Sequence, residues 1–205
     1  MSLNSRYIWI LFVAMLIAWG HPLTVAASLT LEFFPTDQAI TKGTNAQVDV
    51  RLRNPGGNFL STYDVFVSYD PAILAYNTTT FSNALGNPSS DPGNIYAADY
   101  STPGSLELIA FPLFFDKAIQ SGSTDLLLFS LNFSTLAAGT SALTIPKDPW
   151  FYLGDENGDQ LVADVVSGSI VVNESTSPVP APNSIVLLSA ALLIFVIYKK
   201  RIIAE

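Results

Sequence analysis

"LSTYDVFVSYDPAILAY", residues Leu60–Tyr76, decides the fold. Tyr63, Val65, Val67 and Tyr69 occupy alternate positions. Successive side chains of a strand point to opposite faces, so this spacing buries one face of a β-strand and makes no helical stripe. Pro71 has no amide hydrogen for a ladder and ends the strand. The same period runs outward on both sides. "SLTLEFF" (28–34) sets Leu29, Leu31 and Phe33 on one face. "AQVDVRLRN" (46–54) points Val48, Val50 and Leu52 inward, and Asp49, Arg51 and Arg53 outward. "SLELIAF" (105–111), "DLLLFSLNFS" (125–134), "SALTI" (141–145) and "GSIVV" (168–172) follow. "WFYL" (150–153) and "LVADVV" (161–166) flank "GDENGD" (154–159), whose Asn157-Gly158 pair signals a hairpin. Breaker-rich joints such as "NPGG" (54–57) and "LGNPSSDPGN" (85–94) separate the runs. The expectation is an all-β sandwich of about nine short strands.

Composition narrows the chemistry. Residues 28–177 hold five lysines and arginines (Lys42, Arg51, Arg53, Lys117, Lys147) against sixteen acidic residues, a net charge of about −11. So acidic a body cannot neutralise a phosphate backbone, which argues against nucleic acid as partner. The chain has no cysteine, and its single histidine is His21, near the N-terminus. Thiol chemistry, Ser-His-Asp triads and His-ligated zinc are excluded from the body. Paired carboxylates leave a histidine-free glycoside hydrolase as the enzymatic alternative, but nothing in the sequence gathers two of them in a cleft.

Three places invite a site. Asp155, Asn157 and Asp159 have the 1-3-5 spacing of a calcium loop, but Gln160 stands where such a loop needs Gly, and Val166 where it needs an acid. They are calcium candidates inside what reads as a plain hairpin turn, and no other cofactor is expected. Asp91 and Asp99 flank a second loop that offers carboxylates to a cation. Trp150, Phe151 and Tyr152 offer rings to a sugar, although the same run suits a buried strand with at least two of them in the core.

Both ends read as addresses. Arg6 precedes an apolar run from Tyr7 to Trp19, and Val25 and Ala27 suit a signal-peptidase site. Residues 1–27 are therefore expected to be a secretory signal peptide cut between Ala27 and Ser28, with an uncleaved anchor as the alternative. The sandwich is placed at 28–173 and a Pro-rich linker at 174–184. A short transmembrane helix follows at 185–198 and a basic cytoplasmic tail at 199–205. Fourteen residues make roughly 21 Å of helix against a hydrocarbon core of about 30 Å. Lys199, Lys200 and Arg201 would stop transfer.

Two resemblances add to this reading. "LSTYDVFVSYDPAILAY", "DLLLFSLNFSTLAAGTSALTI" and "FYLGDENGDQLVADVVSGSIVV" resemble, in order and spacing, the segments of a cohesin domain over residues 29–172. The resemblance implies a nine-stranded jelly-roll sandwich without catalytic activity, which binds a dockerin-type protein through one sheet face. A polysaccharide is the alternative ligand. The tail is similar to a PEP-CTERM sorting signal. "VPAP" (Val179, Pro180, Ala181, Pro182) stands where that family has Val-Pro-Glu-Pro, with Ala181 in place of Glu. This implies processing by an exosortase in a Gram-negative bacterium and delivery to the cell surface or an exopolysaccharide matrix. The alternative is a simple C-terminal membrane anchor.

Overall fold

Wherever apolar residues alternate, the chain forms a strand. The computed structural model describes residues 28–175 apart from 56, 90–92, 114 and 148. The strands are β1 (Thr30–Phe34), β2 (Asp37–Thr41), β3 (Asn45–Arg53), β4 (Leu60–Ser68), β5 (Leu74–Phe81) and β6 (Ile95–Asp99). They continue as β7 (Ser105–Phe111), β8 (Asp125–Thr135), β9 (Gly139–Leu143), β10 (Tyr152–Asp155), β11 (Asp164–Val166) and β12 (Gly168–Asn173). One helical turn, α1 (Lys117–Gln120), lies between β7 and β8, and Asp116 caps it by accepting from the Ala118 amide.

Among the described residues the strands number twelve, where about nine were expected. The three extra ones are β2, β5 and β6, and each is one of the two edge strands of its sheet. An edge strand carries polar or short side chains and has no continuous buried face to write an apolar period. β5, with its Asn77-Thr78-Thr79-Thr80 run, shows this most plainly.

The sandwich has two layers. One is a five-stranded sheet in the order β11-β1-β3-β8-β5. The other side holds β10-β4-β7-β6 and β2-β12-β9, which meet through a backbone bridge between Ser68 and Thr144. The runs whose inward sets were named, 28–34, 46–54 and 61–70, turn those residues inward, with Tyr69 half-buried at the end of its run. Leu31, Phe33, Val48, Val50, Leu52, Tyr63, Val65 and Val67 are buried in one continuous core with Leu106, Leu108, Phe129, Phe133 and Ile170. Tyr63 packs on Phe129 and Tyr69 on Phe133, binding the layers across the middle. Each fully buried large apolar side chain contributes about 1.5–3 kcal/mol, enough in sum to hold a domain without disulfides.

The expected closing hairpin needs correction. Residues 155–159 do turn tightly, with the Asp155 amide donating to the Asp159 carbonyl and Gly158 at φ +85°. Beyond the Gly154–Gln160 bridge, however, the two arms part. β10 pairs with β4, while β11 crosses to the other layer and pairs in parallel with β1. The apolar side chains of "LVADVV" made it look like a partner for "WFYL". They serve the crossing, where Ala163 is buried in the core.

Candidate functional site

The two layers present very different outer faces. On the five-stranded sheet the alternate positions are polar and already paired. Arg51 binds Asp49 at 2.9 Å and Asp125 at 3.1 Å, and its guanidinium lies 4.3 Å from the centre of the Phe34 ring. Arg53 binds Glu32 at 2.6 Å and Asp125 at 3.3 Å. Burial alone would raise the pKa of Asp49, but hydrogen bonds from Ser130 and Arg51 outweigh it and hold the carboxyl below the ordinary range. This ladder ties β1, β3 and β8 together and leaves its charges engaged with one another.

The outer face of β10-β4-β7-β6 carries large apolar side chains among a few acidic ones. Register sets Tyr152 beside Asp64, Asp64 beside Ile109, and Ile109 beside Ala97. A second row runs Phe66, Glu107, Asp99, and a third pairs Phe111 directly with Ile95. Ile95 is 52% exposed and Phe111 53%. None of these four strands carries a lysine or arginine. Glu107 and Asp99 stand opposite each other with like charge, an arrangement that costs energy in an isolated sheet. Two hydrogen bonds from Ser101, first its backbone N–H and then its hydroxyl, hold the Asp99 carboxyl below its ordinary range.

At the β10 end this face opens into a groove of about 640 Å³, walled by Trp150, Tyr152, Ile109 and Phe111 and rimmed by Thr62, Asp64, Glu156 and Asn157. Trp150 is 70% exposed. Only Phe151 of the Trp150–Tyr152 run joins the core, where two members were expected. Tyr152 points outward because strand alternation puts it on the face opposite Phe151 and Leu153. The hydroxyl of Tyr152 donates to the Gly158 carbonyl at 2.9 Å. A Cβ on Gly154 would lie 2.7 Å from the Tyr152 ring and 2.6 Å from Thr62, so the ring lies across the space that this glycine leaves free.

The helical turn α1 is tied to two segments that border the groove, the start of β4 and the 155–159 turn. Gln120, 3% exposed, accepts from the Leu60 amide and donates to the carbonyls of Leu60 and Ala84. It thereby fixes the first residue of β4. Lys117 pairs with Glu156 and stands 5.6 Å from the centre of the Phe59 ring, tying the 155–159 turn to α1.

The other candidates fall as follows. Asp155 spends its carboxylate within its own turn, accepting from the amides of Asn157 at 2.8 Å and Asp159 at 2.9 Å and from the Asn157 side chain at 3.3 Å. These bonds, the Asp159 amide foremost, hold its carboxyl below the ordinary range. Among the described residues no group of three or more His, Cys, Asp or Glu side chains is placed to hold a metal ion. Asp99 lies on the apolar face, and Asp91 lies outside the described residues. Ser28 donates to Asp164 at 2.7 Å, so the first described residue is tied to β11. Ala27, Val179, Pro180, Ala181, Pro182, Lys199, Lys200 and Arg201 lie outside the described residues. Among those described, no helix is long and apolar enough to cross a membrane.

Sequence reasoning missed the apolar face. Its signal is present in "DVFVS" and "SLELIAF", where Phe66, Ile109 and Phe111 put apolar side chains on the side meant for solvent.

Comparison with known proteins follows from this geometry. A family model described as "Cohesin domain" matches residues 33–172. No curated protein matches the chain. Several solved structures share its fold. The sixth cohesin of scaffoldin B from Acetivibrio cellulolyticus, solved in complex with a mutant Cel5 dockerin, is 22% identical. It superposes with a TM-score of 0.56, covering 72% of this chain and 100% of its own. A type I cohesin–dockerin complex from Clostridium thermocellum gives 14% identity and a TM-score of 0.55, covering 72% and 100%. A type II cohesin domain from the cellulosome of Acetivibrio cellulolyticus gives 18% and 0.56, covering 70% and 95%.

Proposed function

The chain belongs to the cohesin domain family, matched over residues 33–172, and we propose on that basis that it is an exported, non-catalytic docking module. The outer face of β10-β4-β7-β6 would receive a dockerin-type protein. The observation that carries this reading is the exposed Ile95–Phe111 pair, set among Phe66, Ile109 and Ala97 on strands without a cation. A contiguous apolar patch exposed on a soluble domain marks an interaction surface. The opposite face is occupied by the paired arginines and their acidic partners. Two of the solved relatives were crystallised with dockerins, which supports the same partner class here.

The test is retention of dockerin-bearing proteins from the same cell on the immobilised full chain, in calcium. Ile109→Asp should weaken retention at least tenfold, the effect of losing a central anchor. Absence of retention, or retention unchanged by Ile109→Asp, refutes the docking reading.

The ends support a further reading of location. Residues 1–27 would direct export and be removed after Ala27. Val179–Pro182, the apolar segment 185–198 and Lys199–Arg201 would form a signal read by an exosortase, which releases the domain to the cell surface or the matrix of a Gram-negative bacterium. What supports this is the order of Pro-x-Pro element, short apolar run and basic end. The intact mass of the surface-exposed protein should lack the residues beyond the Val179–Pro182 region. Recovery of Lys199–Glu205 on that protein refutes it and leaves a simple membrane anchor.

A further inference from the structure

We infer that the groove at the β10 end of the apolar face binds a neutral glycan chain. This site stands on its own observations and does not depend on the docking reading. A pyranose ring has an apolar C–H face and a rim of hydroxyls, so its receptor needs an exposed aromatic surface bordered by hydrogen-bonding groups. The groove has both. Trp150 leaves most of its surface in solvent, although tryptophan is among the most buried residue types on average. Tyr152 supplies a second ring, and its position is fixed before any ligand arrives. Its hydroxyl is held by the Gly158 carbonyl, and its ring lies in the space that glycine at 154 keeps open. A pre-set ring loses little freedom on binding, which favours affinity.

The polar rim selects the ligand. Thr62, Asp64, Glu156 and Asn157 offer carboxylate, hydroxyl and amide oxygens as acceptors for sugar hydroxyls. Among the described residues no lysine or arginine lines the groove, and Lys117, at its edge, is engaged by Glu156. Uronates, sulfated sugars and phosphates therefore meet only a cation that is already paired. A Pro-rich peptide would stack on the same rings but has few donors for such a rim. The volume of about 640 Å³ lies within the range of clefts that enclose an oligosaccharide-sized ligand.

The test is affinity electrophoresis of the full chain in a polyoxyethylene detergent, whose head group contains no sugar. The gels contain hydroxyethylcellulose, xyloglucan or dextran as neutral probes and alginate as an anionic one. Migration should slow in at least one neutral gel and stay unchanged in alginate. Trp150→Ala should abolish the slowing. Gly154→Ala should weaken it by pushing the Tyr152 ring off its seat. Asp99→Ala, on the row of the face that does not line the groove, should leave it intact. Unchanged migration in all three neutral gels overturns the inference, and so does equal slowing in alginate. Slowing that survives Trp150→Ala also overturns it. A second readout guards against a misfolded variant. Trp150 is the one tryptophan among residues 28–175, and its emission, taken as wild type minus Trp150→Ala, should shift to shorter wavelength with xyloglucan oligosaccharide. A spectrum that does not move with the sugar refutes stacking on this ring.

Discussion

Replacing Gln120 with methionine tests how the site is held. The two side chains are similar in volume, so the change removes hydrogen bonds and opens no large cavity. Wild-type Gln120 satisfies the Leu60 amide at 2.9 Å, the Leu60 carbonyl at 2.7 Å and the Ala84 carbonyl at 2.9 Å, all in a buried setting. Gln120→Met orphans three backbone groups, each costing about 1–3 kcal/mol. Part of this is offset, because the side chain amide no longer has to leave water. A net loss of about 2–4 kcal/mol remains. For a domain of this size each kcal/mol moves Tm by roughly 2–4 °C, so the melt should fall by about 5–15 °C. Circular dichroism on the full chain measures it. A shift under about 2 °C would show that Gln120 is not the clamp that the geometry makes it.

Gln120→Glu sharpens the test through pH. The new carboxyl keeps an acceptor for the Leu60 amide but faces two carbonyl oxygens. Burial and those carbonyls disfavour its charged form, so its folded pKa rises above the unfolded value of about 4.3. An acid whose folded pKa is raised destabilises only where the unfolded chain would ionise it. The gap from wild type should therefore be smallest below about pH 4 and widen as pH rises towards the folded pKa. Denaturant titrations at several pH values read this directly, and a gap independent of pH refutes the facing carbonyls.

Three further outcomes follow from particular contacts. Ile95→Asp and Phe111→Asp, on exposed positions, should change unfolding free energy by no more than about 0.5 kcal/mol while lowering retention of a dockerin-bearing protein tenfold or more. Equal loss of both would mean that these residues serve the fold. The lowered pKa of Asp49 means that its ionised form stabilises the fold at pH above its unfolded value of about 3.9, and that this is lost as pH falls through the folded value. Asp49→Asn should therefore flatten the dependence of stability on pH below the ordinary carboxylate range, and an unaltered acid limb counts against the ladder. The Tyr63 hydroxyl is buried and meets no hydrogen-bond partner among the described residues, so Tyr63→Phe should leave stability unchanged or raise it by up to about 1 kcal/mol, as a thermal melt will show.

How legible the fold was depends on where each strand lies. Central strands announce themselves. β3 and β7 bury every second side chain, β4 and β8 do so apart from one break each, and all four were legible as strands. Of the edge strands, β9, β10 and β11 kept enough apolar residues to be read, while β2, β5 and β6 are strands because they pair with a neighbour and carry no apolar alternation. The turn at Asp155–Asp159 was legible as a turn. The separation of its arms was not, since local residues fix a turn while the destination of each arm depends on partners far away, β4 for one and β1 for the other.

The site was written in the part of the alternation that reads as noise. β3 and β7 have the same inward period, yet their outward residues differ in kind. In β3 they are Asp49, Arg51 and Arg53, charges that find partners across the sheet. In β7 they are Glu107, Ile109 and Phe111, of which two are as apolar as the core. A strand apolar on one face needs one covering layer, and a strand apolar on both needs two. The core supplies the first to β7, and nothing within the described domain supplies the second. The uncovered Ile95–Phe111 pair, together with a glycine at 154 that lets an aromatic ring lie on the sheet, therefore argues for a surface shaped by what binds it. Folding alone would have been served as well by threonine at 95 and 111 and by any small β-former at 154 paired with a shorter residue at 152.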